Sequence, residues 1–264
     1  MNIGLIIVGD EILSGKRQDK HLAKVIELLS ARGLALAWAR YVGDDRFLIT
    51  QALREAFAGG DIVFSCGGIG ATPDDHTRQC AAAALGVALE LHPEARKLIL
   101  ERMREIAQEQ GQAFDPERED NRQRLNMGMF PAGARLIANP YNRIPGFSVG
   151  DVHFVPGFPV MAWPMIESLL DGRYAALHGS ARLAERSVIV FGSMEGTLTP
   201  LMERIEREFT GIRVFSLPSV DHPQYGRHIE LGVKGRNGDI EKAFESLRDG
   251  VLALGGQIGP EMVR

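Results

Sequence analysis

The residues best suited to chemistry lie in one stretch, where three glycines are followed closely by two adjacent aspartates. Gly67, Gly68 and Gly70 carry no Cβ, so the backbone there can turn sharply and approach a ligand closely. Backbone amides freed in such a turn, together with a helix N-terminus, form a binding site for phosphate. Asp74 and Asp75 would repel that phosphate unless a cation lay between them. The stretch therefore predicts phosphate bound together with Mg²⁺ or a similar hard metal.

A purely structural interpretation of this stretch is a strand-to-helix turn in which an aspartate caps the helix. Two further acids favour the functional interpretation. Asp10 follows the apolar run Asn2–Val8, and Asp44 follows the run Leu34–Val42. Open α/β sheets bind ligands at the carboxyl ends of their strands, so these acids and the glycines are predicted to share one pocket.

Apolar runs alternate with segments of helical periodicity through the first 86 residues. Asn2–Val8, Leu34–Val42 and Asp61–Cys66 are the predicted strands, and a helix is predicted after each of them. This alternation predicts an α/β fold in which helices cover a mostly parallel sheet. Two further strands are predicted at 134–138 and 151–155, separated by an irregular loop rich in proline and glycine.

The last third of the chain has a different order of elements. Residues 171–185 are small and polar and predict a linker. The pattern beyond them predicts strand, helix, two strands and a final helix begun by Asn237-Gly238. We therefore expect two domains, an α/β domain at 1–172 and a small α+β domain at 185–264.

The composition restricts the class of protein. In the 264 residues the hydrophobic share is 45% and the charged share 24%, as in soluble globular proteins. The net charge of −4 and the lack of a basic run argue against a nucleic-acid partner. Cys66 and Cys80 form no CxxC pattern, which argues against a disulfide framework or a zinc site. No signal peptide or apolar run of about 20 residues is evident, so we expect a cytoplasmic protein without a membrane partner.

Several motifs in a fixed order carry a family resemblance. They are Gly9–Gly15 (GDEILSG), Val42–Asp45 (VGDD), Gly67–Arg78 (GGIGATPDDHTR), Asn139, Pro145–Phe147 and Val155–Gly157. Together they resemble the N-terminal region of the competence/damage-inducible protein CinA, which belongs to the molybdopterin-binding superfamily of MogA, MoaB and a domain of MoeA. The resemblance covers residues 1–172 and implies a three-layer α/β/α sandwich. Residues 185–264 resemble the small domain that follows in CinA-type proteins.

The resemblance implies a phosphate-bearing ring ligand. The superfamily binds a pterin that carries phosphate, and CinA-type members are associated with metal-dependent hydrolysis of ADP-ribose at its pyrophosphate. By the same resemblance, Asp44 and Asp75 occupy the two acidic positions that matter for chemistry. We predict that Asp10, Asp44, Asp74 and Asp75 hold a divalent metal, either Mg²⁺, Mn²⁺ or Co²⁺, which activates a water molecule. The predicted ligand-binding residues are Gly67, Gly68, Gly70, Thr72, Thr77, Asn139, Pro145, Gly146 and Gly157.

The sequence leaves alternatives open. A non-catalytic molybdopterin-binding module and a pterin adenylyltransferase would use the same acidic phosphate site. The ring could be a pterin, ADP-ribose or another nucleotide, and the superfamily admits a homo-oligomer. The amidase domain of longer CinA proteins has no counterpart in this sequence, so deamidation of nicotinamide mononucleotide is not expected.

The chain also departs from the usual family pattern. Ile69 and Ala71 are mild changes within the glycine motif. Arg143-Ile144 before Pro145 and the segment Val160–Trp163 are expected to affect which ligand is accepted. Met161, within that segment, is predicted to be a core residue together with Met165.

Overall fold

The computed structural model describes residues 2–180, 184–235 and 238–263. The chain divides into two compact units, Met1–Ser180 and Ala181–Arg264. The first unit continues beyond residue 172, because Tyr174 is buried in its hydrophobic core. Residues 181–183 of the predicted linker lie outside the described residues, and so does Asn237 before the last helix.

The first unit contains one large sheet and a two-stranded pair. Its strands are β1 (Ile3–Val8), β2 (Trp38–Val42), β3 (Ile62–Cys66), β4 (Leu89–Leu91), β5 (Met129–Pro131), β6 (Arg135–Ile137), β7 (Gly146–Val149) and β8 (Val152–Val155). Its α-helices are α1 (Asp10–Leu13), α2 (His21–Ser30), α3 (Arg46–Gly59), α4 (Thr77–Leu85), α5 (Pro93–Glu109), α6 (Glu119–Leu125) and α7 (Pro159–Asp171). The large sheet has the order β2-β1-β3-β8-β7-β6, and β4 pairs with β5. Neighbours from β2 to β8 are parallel, whereas β7 is antiparallel to both β8 and β6.

Side chains of β1 alternate between two hydrophobic cores, one on each face of the sheet. Leu5 and Ile7 are buried in a core that includes residues of α2 and α7. Ile6 and Val8 are buried in a second core with residues of α3 and α4. Each fully buried leucine or isoleucine contributes roughly 1.5–3 kcal/mol relative to an exposed one. Helices therefore cover both faces, and the predicted three-layer α/β/α sandwich with a mostly parallel sheet is confirmed.

Strand β7 occupies part of the segment that the sequence predicts to be an irregular loop. Gly146 is its first residue and is buried in the sheet. A Cβ added to Gly146 would lie 2.3 Å from the carbonyl oxygen of Phe154. A glycine is needed here because the backbones of β7 and β8 approach so closely. The composition of the segment indicates a loop, but this glycine serves packing within a sheet.

A buried hydrogen-bond network surrounds His153 near the start of β8. The His153 Nδ1 lies 2.7 Å from the Ser148 hydroxyl, and its Nε2 lies 2.6 Å from the Tyr174 hydroxyl. Tyr174 donates its proton to Asp151 at 2.7 Å. All of these bonds are satisfied by a neutral His153 that carries its proton on Nε2. Burial, with a smaller effect of the nearby Arg173 charge, lowers the pKa of His153 to about 3.

This network predicts a loss of stability in acid. A histidine in the unfolded chain takes up a proton near pH 6.5, whereas folded His153 stays neutral until about pH 3. Between these values the unfolded state binds one more proton. The free energy of unfolding therefore falls by up to about 1.4 kcal/mol for each unit by which the pH decreases. Urea unfolding of the wild type and His153→Gln checks this. We expect the free energy of unfolding of the wild type to exceed that of His153→Gln by less and less as the pH falls from 6.5. A difference between the two free energies that does not change with pH would contradict the prediction.

The second unit is a small α+β unit with its own core. Its elements are β9 (Ala184–Phe191), α8 (Glu195–Glu208), β10 (Ile212–His222), β11 (Gly226–Gly235), α9 (Ile240–Ala253) and β12 (Gln257–Val263). The four strands form an antiparallel sheet in the order β10-β11-β9-β12. This order and the β-α-β-β-α-β sequence of elements are those of a ferredoxin-like unit.

Strand β12 lies beyond the last helix predicted from the sequence and was not itself predicted. Its residues include Gly259, Pro260 and Glu261, which are rare in strand interiors. β12 pairs with β9 alone, at the edge of the sheet, and its register shifts between Ile258 and Glu261. A proline is tolerated at such an edge or bulge. Within the described parts of both units, no helix is long and apolar enough to span a bilayer.

Candidate functional site

A cavity of about 620 Å³ lies in the first unit, where the loops after β1, β3 and β8 meet. These strands are parallel, so their carboxyl ends lie at one edge of the sheet. The volume is within the usual range for small-molecule sites. The lining residues are Val8, Gly9, Glu11, Arg17, Asp44, Gly67, Gly68, Ile69, Gly70, Ala71, Thr72, Asp74, Asp75, Met127, Asn139, Asn142, Ile144, Pro145, Pro156, Gly157, Phe158 and Met161.

Residues 67–72, which we call the glycine loop, form one wall of this cavity. Gly67 and Gly68 have φ angles of 104° and 68°, which side-chain-bearing residues rarely adopt. A Cβ on Gly67 would lie 2.3 Å from the carbonyl oxygen of Val8, and one on Gly68 would lie 2.1 Å from Oγ1 of Thr77. Both glycines are therefore required by the backbone conformation and by close packing.

The amides of the glycine loop differ in their availability to a ligand. The Gly67 amide donates to the carbonyl oxygen of Val155 at 3.0 Å, so it is not free for phosphate. This corrects the prediction that Gly67 is a direct phosphate ligand. The amides of Gly68, Ile69 and Gly70 donate to no acceptor among the residues that the structure describes. Consecutive amides of this kind can bind an anion.

Two buried residues at the start of α4 hold the glycine loop in place. Thr77 donates its hydroxyl to the Gly67 carbonyl at 3.1 Å and its amide to the Gly68 carbonyl at 3.0 Å. Thr77 is fully buried and does not line the cavity, so its predicted role as a ligand contact is replaced by a structural one. Arg78 donates Nη1 to the Ile69 carbonyl at 2.9 Å.

Arg78 is a feature of the site that sequence reasoning missed. Its side chain is buried, and burial lowers its pKa to about 10, so it is still charged at neutral pH. A positive charge bonded to the glycine loop favours an anion on that loop. The residue ends the glycine motif in the sequence, but only the orientation of α4 shows that its guanidinium is buried.

Asp75 and Thr72 close the far end of the glycine loop. One oxygen of Asp75 accepts from the Thr72 amide at 2.9 Å and from the Thr72 hydroxyl at 2.5 Å. Both side chains line the cavity. Asp75 therefore fixes the loop that it follows, and its other oxygen has no hydrogen bond to the described residues.

Asp10 and Asp44 form a reciprocal pair across the ends of β1 and β2. The Asp10 amide donates to Asp44 Oδ2 at 2.9 Å, and the Asp44 amide donates to Asp10 Oδ1 at 3.1 Å. Burial raises the pKa of Asp44, and the negative charges of Asp10, Glu11 and Asp74 raise it further, against the effect of the hydrogen bond from Asp10. The carboxylates around Asp44 thus repel one another, and a bound cation would relieve this repulsion.

The structure brings most predicted site residues together, with three exceptions. Those that line the cavity are Asp44, Asp74, Asp75, Gly67, Gly68, Gly70, Thr72, Asn139, Pro145 and Gly157. Asp10 does not line the cavity but is hydrogen-bonded to Asp44, which does. Thr77 is bonded to the buried side of the glycine loop, and Gly146 is within β7. Across the described ranges, no group of three or more His, Cys, Asp or Glu side chains is arranged to hold a metal ion.

An apolar part of the cavity was not predicted from the sequence. It is formed by Met127, Ile144, Phe158 and Met161. Met165 is a core residue as predicted, but Met161 lines the cavity. The two methionines are four residues apart on one helix, so their spacing could not distinguish a core residue from one at the edge of a cavity.

The family follows from comparison with known proteins. The family model described as "Probable molybdopterin binding domain" matches residues 4–176. The chain belongs to this molybdopterin-binding family. A CinA-like protein of Anaeromyxobacter sp. (strain Fw109-5) is 31% identical over 210 residues, which are 77% of this chain and 49% of the relative. A protein of Thermoplasma volcanium is 30% identical over 257 residues, which are 95% of this chain and 93% of the relative.

A solved structure supports the same conclusion. The CinA protein of unknown function from Thermoplasma acidophilum is similar with a TM-score of 0.55 and 29% identity, over 65% of this chain and 98% of that one. The resemblance to CinA-type molybdopterin-binding proteins is therefore confirmed. This chain spans about half the length of the CinA-like relative from Anaeromyxobacter.

Proposed function

We propose that this molybdopterin-binding-family protein binds a phosphate-bearing ring ligand and hydrolyses a nucleotide diphosphate such as ADP-ribose with a divalent metal. One observation carries the proposal. The unpaired amides of Gly68, Ile69 and Gly70 border the same cavity as the acidic residue Asp44. An anion-binding loop and a carboxylate in one cavity suit a phosphate that is bound together with a cation.

Phosphate is the ligand group best matched to the glycine loop. The amides of residues 68–70 supply donors, and the buried charge of Arg78 lies on the same loop through its bond to Ile69. Arg17, which lines the cavity, adds a second cationic side chain. Hydrogen bonds from amides and guanidinium groups to phosphate oxygens are charge-assisted and therefore strong.

The acidic residues fit a metal ion whose coordination the ligand completes. Mg²⁺ in phosphate-transfer sites is bound by one or two carboxylates together with substrate phosphates, and it keeps several waters. Asp44 and Asp10 can supply these carboxylates, since each has one oxygen free of the hydrogen bonds that join them. The metal would neutralise phosphate charge and lower the pKa of a bound water.

The proposed reaction is a hydrolysis that needs only water as its second reactant. The oxygen of water forms a bond to one phosphorus of the pyrophosphate, and the bond from that phosphorus to the bridging oxygen breaks. The products are AMP and ribose 5-phosphate, and the protons of water are distributed between the two new phosphate groups and solvent. The glycine loop would hold the pyrophosphate, and Asp75 would hold that loop in position through Thr72.

Incubation of the purified protein with ADP-ribose tests the proposal. We expect AMP and ribose 5-phosphate to form in the presence of Mg²⁺, Mn²⁺ or Co²⁺ and not in excess chelator, with detection by anion-exchange chromatography. A lack of product with every metal, combined with tight binding of a pterin phosphate, would support the non-catalytic module instead. Transfer of AMP from ATP to that pterin would support the adenylyltransferase.

A further inference from the structure

The loop from Asn139 to Pro145 places a hydrogen-bond donor of fixed orientation in the cavity wall. Asn142 Oδ1 accepts from Nδ2 of Asn139 at 2.8 Å and from the amide of Ile144 at 3.0 Å. A backbone amide can donate only to the oxygen of a carboxamide, so the oxygen and nitrogen positions of Asn142 are determined. Its Nδ2 is therefore the group left for other partners.

The nitrogen of Asn142 has only a weak partner. Its Nδ2 lies 3.6 Å from Sδ of Met161, and a thioether is a poor acceptor. Asn142, Met161 and Met127 all line the cavity. A ring nitrogen or carbonyl oxygen of a ligand would be a better acceptor for this amide than the sulfur. Methionine side chains also pack well against aromatic rings.

The backbone that carries Asn142 is strained and held in place. Arg143 has a φ of 65°, the only positive φ among the described residues other than glycines. The Arg143 amide donates to the Asn139 carbonyl at 3.0 Å, and its guanidinium forms an ion pair with Glu105 at 2.8 Å. Such strain persists where the surroundings determine the conformation, and it is concentrated at ligand sites. The Asn142 amide is thus fixed in position before any ligand binds.

We infer that Asn142 recognises the ring of the bound ligand. Its Nδ2 donates to an acceptor on the edge of a nitrogen heteroaromatic ring, either a ring nitrogen or a ring carbonyl, while Met127 and Met161 pack against the ring. Adenine and pterin both offer such an edge. The inference rests on the proposed function, because the glycine loop must hold the phosphate for the ring to reach Asn142.

The test compares AMP with ribose 5-phosphate, which has the same phosphate and sugar but no ring. Asn142→Asp keeps the oxygen that bonds Asn139 and Ile144 and removes both N–H donors. Any effect of its added charge on the phosphate cancels in the ratio of the two affinities. We expect Asn142→Asp to lower the preference for AMP about ten- to hundredfold. Asn126 is exposed and does not line the cavity, so the matched control Asn126→Asp should change the preference by less than about threefold. Calorimetry gives the affinities.

A parallel series with hydroxymethylpterin phosphate distinguishes the two rings, since the larger loss identifies the ring that Asn142 contacts. The wild type gives a test that does not depend on a variant. Among analogues of AMP in which one ring nitrogen is replaced by C–H, the analogue that lacks the nitrogen contacted by Asn142 should bind about tenfold more weakly than AMP. Unchanged ratios for both rings in Asn142→Asp, with phosphate binding retained, would overturn the inference and leave the proposed function standing. Failure of the wild type to bind any of these phosphates would overturn both.

Discussion

Replacement of Asp44 by asparagine is expected to reduce the proposed metal-dependent hydrolysis of ADP-ribose by at least about a hundredfold. The asparagine oxygen can still accept from the Asp10 amide, so the local geometry is retained while the charge is lost. A metal ion contributes several kcal/mol to a phosphoryl-transfer transition state, and about 3 kcal/mol corresponds to a hundredfold change in rate. Initial rates of AMP release at saturating Mg²⁺ or Mn²⁺ measure the effect.

The neighbouring Asp45 provides a matched control for this variant. Asp45 is the N-cap of α3 and accepts from the Leu48 amide at 2.8 Å. Asparagine caps helices as well as aspartate does, so Asp45→Asn removes the same charge one residue away without loss of the cap. Its activity should stay within about twofold of the wild type. Equal losses in the two variants would show that net charge, and not a metal ligand, is responsible.

Replacement of Gly67 by alanine is expected to destabilise the first unit by roughly 2–5 kcal/mol and to abolish phosphate binding. The added Cβ would meet the Val8 carbonyl oxygen at 2.3 Å, where neither backbone can yield easily. Overpacking of this kind costs about 1–3 kcal/mol, and the left-handed conformation adds about 1–2 kcal/mol. Urea unfolding and titration with pyrophosphate measure the two effects.

Gly86→Ala separates the strain from the steric clash. Gly86 ends α4 with a φ of 68°, and nothing lies within 4 Å of an added Cβ. This variant should lose only about 1–2 kcal/mol and should bind pyrophosphate as the wild type does. A loss at Gly67 no greater than that at Gly86 would show that the loop can move away from Val8 at little cost.

Local patterns were sufficient to predict an α/β fold in which helices cover a mostly parallel sheet. The buried parallel strands are continuous apolar runs, and the helices between them repeat at 3.6 residues, so both signals lie within one element. Strand β12 lacks such a signal, because its residues have weak strand propensity. It forms because its pairing with β9 overrides that propensity. Gly146 was misassigned for a related reason, since its nearest neighbour is the backbone of Phe154 in another strand.

Part of the candidate site could also be predicted from the sequence. Acids at strand ends can be placed in one pocket from topology alone, and the structure places Asp44, Asp74 and Asp75 there. Thr77, Arg78 and Asn142 could not be assigned in this way. Their roles depend on which face of α4 is buried and on the turn at Arg143, and neither is visible in the spacing of residue types.

The reciprocal bonds between Asp10 and Asp44 have a consequence for the entropy of binding. Each carboxylate is held by the backbone of the other residue, so both side chains lose rotamer freedom when the chain folds and not when a ligand arrives. Ordering a free side chain at an interface costs about 0.5–1.5 kcal/mol. The cation proposed to bind this pair would therefore meet two carboxylates whose positions are already set, and the entropic cost of ordering them is part of the stability of the fold.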